Sequence, residues 1–156
     1  MPHRFHTTST NRLVALSAQP SLPEYPFLMQ VNRQLQDLIL RFNLGVEGSF
    51  SAGGMHGLVA CCTPDGLKRM DEKYTNWTGQ QVKALNLVSC DFLSFDLSDD
   101  GHRAAIFTYE KWVFVYADGR QVATSGSVDG YDVHFVDGAW RVDSVTFYAP
   151  NIQPGK

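Results

Sequence analysis

Apolar residues recur at Leu28, Val31, Leu35, Leu38, Ile39 and Phe42. Steps of three and four put them on one stripe of a helix, and Arg33, Gln34, Gln36, Asp37 and Arg41 take the other side. The spacing predicts an amphipathic helix of roughly five turns after Pro26, ended by Gly45 and Gly48. Gly53 and Gly54 then precede a short apolar run, Met55 to Cys62, in which His56 reads as a hydrogen-bonded structural histidine. A further helix is expected from about Pro64 to Trp77, with Gly79 as its stop. Thr63 can cap it, Pro64 suits a first position that needs no amide donor, and Asp65 complements the helix dipole.

From Gln81 onward the pattern changes to β-branched and aromatic runs punctuated by Asp100-Gly101, Asp118-Gly119 and Asp137-Gly138. Asp-Gly between such runs is a strong hairpin signal. Four antiparallel strands are predicted near 82–98, 103–117, 120–136 and 139–148. Gly126 and Asp129-Gly130 fall inside the third, where they read as a bulge or bend. Helices followed by a meander give an α+β fold with the helices on one face of a curved antiparallel sheet. Glycine-marked bends let the sheet curl into a cone, whose interior is a natural ligand pocket.

The 156 residues suit one domain, expected over 24–150, with tails at 1–23 and 151–156. The first tail carries His3, Arg4, His6 and Arg12 among Ser and Thr, and its first acidic successor is Glu24. It reads as a disordered tail or an organellar transit-like segment, set off by Pro20 and Pro23. A net charge of −3 gives no footprint for nucleic acid, and no apolar run approaches the ~20 residues a bilayer needs. Neither nucleic acid nor membrane is therefore expected as a partner. Cys61, Cys62 and Cys90 make no secreted disulfide framework. Three reduced thiols point to an intracellular protein, with the cytoplasm ahead of a mitochondrial or other organellar site. No tetrahedral metal motif, glycine-rich phosphate loop or Ser-His-Asp spacing is present, so neither metal nor cofactor is expected.

Several stretches carry a resemblance. Gln34-Leu35-Gln36-Asp37-Leu38-Ile39-Leu40-Arg41-Phe42 is similar to the first helix of the SnoaL-like family in the nuclear transport factor 2-like superfamily. Cys62-Thr63-Pro64-Asp65-Gly66 and Trp77-Thr78-Gly79 resemble its pocket-side segment. Gly130-Tyr131-Asp132-Val133 with Val136-Asp137-Gly138-Ala139-Trp140-Arg141-Val142 resembles its closing hairpin. The similarity spans roughly residues 27–148. It implies a cone-shaped fold, a pocket for a small organic molecule, and a homodimer. The family includes isomerases and dehydratases as well as members without catalysis. Several catalytic members carry a pocket histidine where this chain reads Leu85-Asn86-Leu87.

Register arithmetic selects the candidate site. A two-residue loop at Asp137-Gly138 sets Phe135 opposite Trp140, Val133 opposite Val142 and Tyr131 opposite Ser144. That face lines the core, while Asp132, His134, Arg141 and Asp143 fall on the other as surface charge pairs. The same rule at Asp118-Gly119 pairs Phe114 with Ala123 and Trp112 with Ser125, and sets Glu110 opposite Ser127. A loop from Asp99 to Gly101 sets Cys90 opposite Glu110. Glu110 then shares an aromatic inner wall, where the charged form of a carboxylate is disfavoured, the condition for general acid or base work.

The expectation is a small-molecule-binding domain for an apolar organic ligand, with Glu110 as the catalytic acid or base if it is a cofactor-independent isomerase or dehydratase. Tyr131, Trp112 and Trp140 would shape the pocket, Thr108 or Ser127 would donate hydrogen bonds, and Tyr74 and Trp77 would close its mouth. The competing expectation is a non-catalytic homodimeric interaction module whose pocket is filled by its own side chains. Leu87, Leu93, Phe95, Phe107, Val113 and Val115 are expected to form an exposed apolar patch on the outer sheet face, the surface for a sheet-to-sheet dimer.

Overall fold

The computed structural model describes residues 24–147; the expected tails, 1–23 and 151–156, lie outside the described residues. Helix α1 runs Glu24–Ala52, a short 3-10 turn spans His56–Leu58, and helix α2 spans Pro64–Gly79. Strands follow at β1 Val82–Leu97, β2 Arg103–Tyr116, β3 Gln121–Ala123, β4 Ser127–Val136 and β5 Ala139–Phe147. All neighbouring strands are antiparallel, in the order β1-β2-β4-β5, with β3 also paired to β2. The architecture is the expected α+β cone.

Helix α1 continues through Gly45 and Gly48, the two glycines expected to end it. Gly45 is there for close approach: a Cβ at that position would collide with Leu58 of the 3-10 turn. The helix gives out at Gly53, whose φ of +82° supplies the left-handed stop. Helix α2 starts as read, with the Thr63 side chain accepting a hydrogen bond from the Gly66 amide at 2.9 Å. His56 stands exposed in its turn rather than inside the core. Leu35, Leu38, Ile39 and Phe42 of α1 are buried against Leu85, Ile106, Tyr131, Val133 and Val142 of the sheet.

Bulges shape β1. Its register shifts between Val82 and Ala84, Leu87 and Ser89, and Phe92 and Ser94. Residues facing the helices are therefore Val82, Leu85, Leu87, Cys90, Phe92, Phe95 and Leu97, spaced alternately by three and two. Plain alternation would have turned Leu87 and Phe95 outward, and each extra bulge residue rotates the strand back. Both pack in the core, whereas Val88 and Leu93 are 62% and 56% exposed. The expected outer patch is thus smaller: Leu93 is exposed, and Phe107, Val113 and Val115 are half-buried.

Two register errors cancel at the centre of the sheet. The β2–β3 loop has three residues, since the Tyr116 amide donates to Arg120 O at 2.9 Å, so Phe114 pairs with Val122 rather than Ala123. Gly126, with φ +102°, then sits in a bulge opposite Lys111, and the ladder resumes with Glu110 opposite Ser127. In the first hairpin the Ser98 amide donates to Arg103 O at 2.8 Å, a four-residue loop, and the bulge at Leu93 restores Cys90 opposite Glu110. The Asp137-Gly138 turn has two residues, with φ of 52° and 82°. Phe135–Trp140 and Val133–Val142 pair as expected, but a bulge at Asp143 moves Tyr131 opposite Val145 instead of Ser144.

Candidate functional site

Glu110 is 1% exposed and points from β2 toward α1. Its Oε2 accepts from the Thr108 hydroxyl at 2.7 Å, the Tyr131 hydroxyl at 2.5 Å and the Asn43 amide at 3.4 Å. Its Oε1 accepts from the Trp112 indole N–H at 2.9 Å, and the Cys90 thiol lies 3.8 Å from Oε2. Alternation along β2 delivers Thr108, Glu110 and Trp112 to the same face, and β4 delivers Tyr131 beside them. A carboxylate offers about four lone-pair sites, so donors from α1, β1, β2 and β4 occupy most of what Glu110 can accept. The thiol responds to this company: burial, then the charge of Glu110 and the hydrogen bond to it, push Cys90 up to about 12.

Asp129 on β4 is the second buried carboxyl, 5% exposed, and it has fewer donors. The Ser127 hydroxyl donates to its Oδ1 at 3.1 Å. Burial, followed by the charge of Glu110 and a hydrogen bond to it, pushes Asp129 up to about 8, against the opposing pull of Ser127 and Lys73. Poor solvation and the neighbouring charge of Glu110 both favour the protonated form of Asp129. The Asp129 carboxyl is thus held well above the ordinary carboxylate range, beside Glu110 and its donors.

A pocket of about 90 Å³ opens over this pair. Phe42, Val46, Trp77, Leu85, Phe114 and Trp112 wall it, with Glu110, Asp129 and Tyr131 at the buried end and the exposed Lys73 at the outer end. Of the residues singled out from the sequence, Glu110, Thr108, Trp112 and Tyr131 converge directly. Ser127 joins them through Asp129, and Trp77 reaches the pocket wall with its ring 6.3 Å from that of Phe114. Tyr74 packs instead against Phe50, with tilted rings and centroids 5.2 Å apart, and does not line the pocket. Trp140 lies elsewhere, against Phe135 at 5.3 Å, lining a separate hollow of about 590 Å³ with Val31, Gln34 and His102.

Asp129 and Asn43 are the site residues that the sequence did not single out. Asp129 is absorbed there into the bulge or bend read at Asp129-Gly130, although it shares the parity of Ser127 and Tyr131 along β4. Asn43 lies four residues after Ile39, a polar position on the buried stripe of α1.

Asp132, His134 and Asp143 form a second cluster on the outer side, with ligand-type atoms within 4.8 Å of one another. Arg103 pairs with Asp132 at 3.2 Å and Arg69 with Asp143 at 3.3 Å, and Thr63 donates to Asp143 at 2.7 Å. Those arginines already supply the positive charge a cation would bring, so the group reads as the surface charge pairs expected. Cys61 and Cys62 are buried thiols, raised by burial, Cys62 to about 12.

No protein-family model matches the chain, and no curated sequence is significantly similar to it. Solved structures do match in shape. The intermembrane space region of the chloroplast protein ARC6 superposes with a TM-score of 0.63 at 12% identity, over 75% of this chain and 95% of that one. A putative aromatic ring hydroxylase from Novosphingobium aromaticivorans gives 0.59 at 13% identity, over 81% and 92%. Aln2 from a Streptomyces species gives 0.55 at 10% identity, over 78% and 92%. Likeness at such identities speaks for the fold alone. Two helices on a curled antiparallel sheet give an α+β, nuclear transport factor 2-like cone. No helix among the described residues is long and apolar enough to cross a membrane.

Proposed function

We propose that this chain is a SnoaL-like small-molecule-binding domain whose buried Asp129–Glu110 pair performs cofactor-independent proton transfer. The observation that carries the reading is Asp129, nearly fully buried in the pocket and pushed up to about 8 by burial and by Glu110. A carboxylic acid neutral at pH 7 can donate to a carbonyl or hydroxyl oxygen in a dry site. Glu110 positions it, holding negative charge next to Asp129 and disfavouring loss of its proton. In a dehydration, the leaving hydroxyl takes the Asp129 proton and departs with the bonding pair as water. A proton from the neighbouring carbon returns to the Asp129 carboxylate as the double bond forms. In an isomerisation Asp129 protonates the carbonyl oxygen, and its carboxylate takes a proton from the adjacent carbon to give the enol. The acid then protonates the far carbon of the enol system and recovers the O–H proton as the carbonyl reforms. In both, proton and electrons balance without an external oxidant.

The test is solvent deuterium exchange next to the carbonyl of small ketones and oxo acids. Exchange with the wild type that is lost in Asp129→Asn supports proton transfer. Ligand-induced shifts of the Trp77 and Trp112 indole signals without exchange would leave a binding domain only.

A second reading keeps the competing expectation, a non-catalytic module with a self-filled pocket. The pocket volume favours it: 90 Å³ matches about three waters and falls below the ~300–1,000 Å³ of ordinary ligand sites. Absence of any ligand shift would select this reading. The homodimer is likewise a proposal, resting on Val88 and Leu93 exposed beside half-buried Phe107, Val113 and Val115. A monomer by sedimentation at micromolar concentration would reject it. The three thiols, none in a disulfide, suit an intracellular, reducing compartment.

A further inference from the structure

A groove of about 310 Å³ runs between α2 and β5, lined in part by Arg69, Glu72, Asn76 and Ser144. It meets the Asp129 pocket at Met70, Lys73 and Val145, which line both. The inner chamber alone is too small for an ordinary ligand, whereas the groove reaches the usual range. A ligand occupying both would put a short apolar part among Phe42, Trp77, Leu85 and Phe114 and leave its other end in the groove.

Charge decides what that end can be. Arg69 is committed to Asp143, donating to its backbone oxygen at 2.6 Å and its carboxylate at 3.3 Å. Lys73 forms no ion pair among the described residues and faces the junction, where its charge is felt at Asp129. Glu72 offsets one positive charge in the groove, but Lys73 is the cation lining both spaces. Inside, Asp129 is partnered by the Ser127 hydroxyl, and Glu110 by Thr108, Tyr131 and Asn43 at Oε2 and by Trp112 at Oε1. A ligand ammonium would meet the like charge of Lys73 on entry.

We infer that the ligand is a short-chain organic acid, with its chain in the pocket beside Asp129 and its carboxylate held by Lys73 at the groove junction. This rests on the proposed pocket and adds the ligand's charge and orientation. The experiment is a titration of the full chain near pH 6.5 with pentanoate, 1-pentanol and pentylamine, read on the Trp77 and Trp112 indole signals. Lys73→Met is titrated in parallel, with circular dichroism confirming its fold. Pentanoate is expected to bind about twofold to fivefold more tightly than pentanol, the range of an exposed ion pair. Lys73→Met should abolish that difference. Equal or tighter binding of pentanol or pentylamine to the wild type would overturn the inference and leave the pocket reading standing. If none of the three moves either indole, both fail.

Discussion

The Tyr131 hydroxyl donates to Glu110 Oε2 at 2.5 Å although the two residues are not ladder partners, since Tyr131 pairs with Ile106 and Glu110 with Ser127. Their side chains meet above the sheet because the coiled strands converge inside the cone. Asn43 closes the group from α1, with its amide 3.4 Å from Glu110 and its carbonyl oxygen 3.2 Å from the Tyr131 hydroxyl. One carboxylate thereby ties the long helix to three strands, and the same clamp sets the environment of Asp129.

Glu110→Gln should cost about 2–4 kcal/mol of unfolding free energy, because its amide nitrogen would face donors where an acceptor stood and leave buried hydrogens unpaired. Tyr131→Phe should cost about 1–2 kcal/mol, as it removes one donor and leaves the others in place. Urea denaturation of both variants checks the order. A Glu110→Gln variant as stable as the wild type would mean the donors are not held on the carboxylate.

Asp129 makes a pH prediction of definite sign. Its folded pKa of about 8 lies above the unfolded ~3.9, so across that window the unfolded chain binds fewer protons than the folded one. The group's stabilising contribution is full below ~3.9 and fades as pH rises to about 8. Asp129→Asn should flatten the profile and should be at least as stable as the wild type at pH 8. Chemical denaturation between pH 5 and pH 8 reads this directly, and parallel profiles for the two proteins would refute it.

How far the site was legible in the sequence follows from its register. Glu110 was placed correctly opposite Ser127 and Cys90, yet each placement combined a loop that is one residue longer than assumed with a bulge that restores the count. The helix stripe from Leu28 to Phe42 and the Asp137-Gly138 turn were readable because periodicity and turn chemistry are local. Leu87, Phe95 and the Tyr131 partner were misread because bulges in β1 and β5 depend on how the sheet bends over the helices. Asp129 was hidden by Gly130, because the pair reads as a bulge or bend of the strand rather than as a buried carboxyl facing the pocket.

Glycines separate helix propensity from packing. Gly48 sits in the exposed interior of α1 with open space where an alanine methyl would go, so Gly48→Ala should stabilise by about 0.5–1 kcal/mol. Gly66 lies so close to β5 that a Cβ would collide with the Val142 carbonyl oxygen. Gly66→Ala should destabilise, despite the same gain in helix propensity, by about 1–3 kcal/mol. Thermal unfolding of the two variants should move in opposite directions, and a shared sign would count against the α2–β5 contact.

Cys62 and Cys90, both near 12, should resist alkylation in the folded protein, since the thiolate is the reactive form. Iodoacetamide at pH 8 should label the native chain far more slowly than the urea-unfolded chain, followed by mass spectrometry. Labelling of Cys90 at the unfolded rate would show that its pocket admits water and reagent freely.

The central claim is that Asp129 holds a proton at neutral pH beside the clamped Glu110. Carbon-detected NMR titration of the side-chain carboxyls, assigned with Asp129→Asn, measures it most directly. A midpoint near 8 for Asp129 is the predicted result. A midpoint near the ordinary ~3.9 would contradict the account and leave the pocket without an acid.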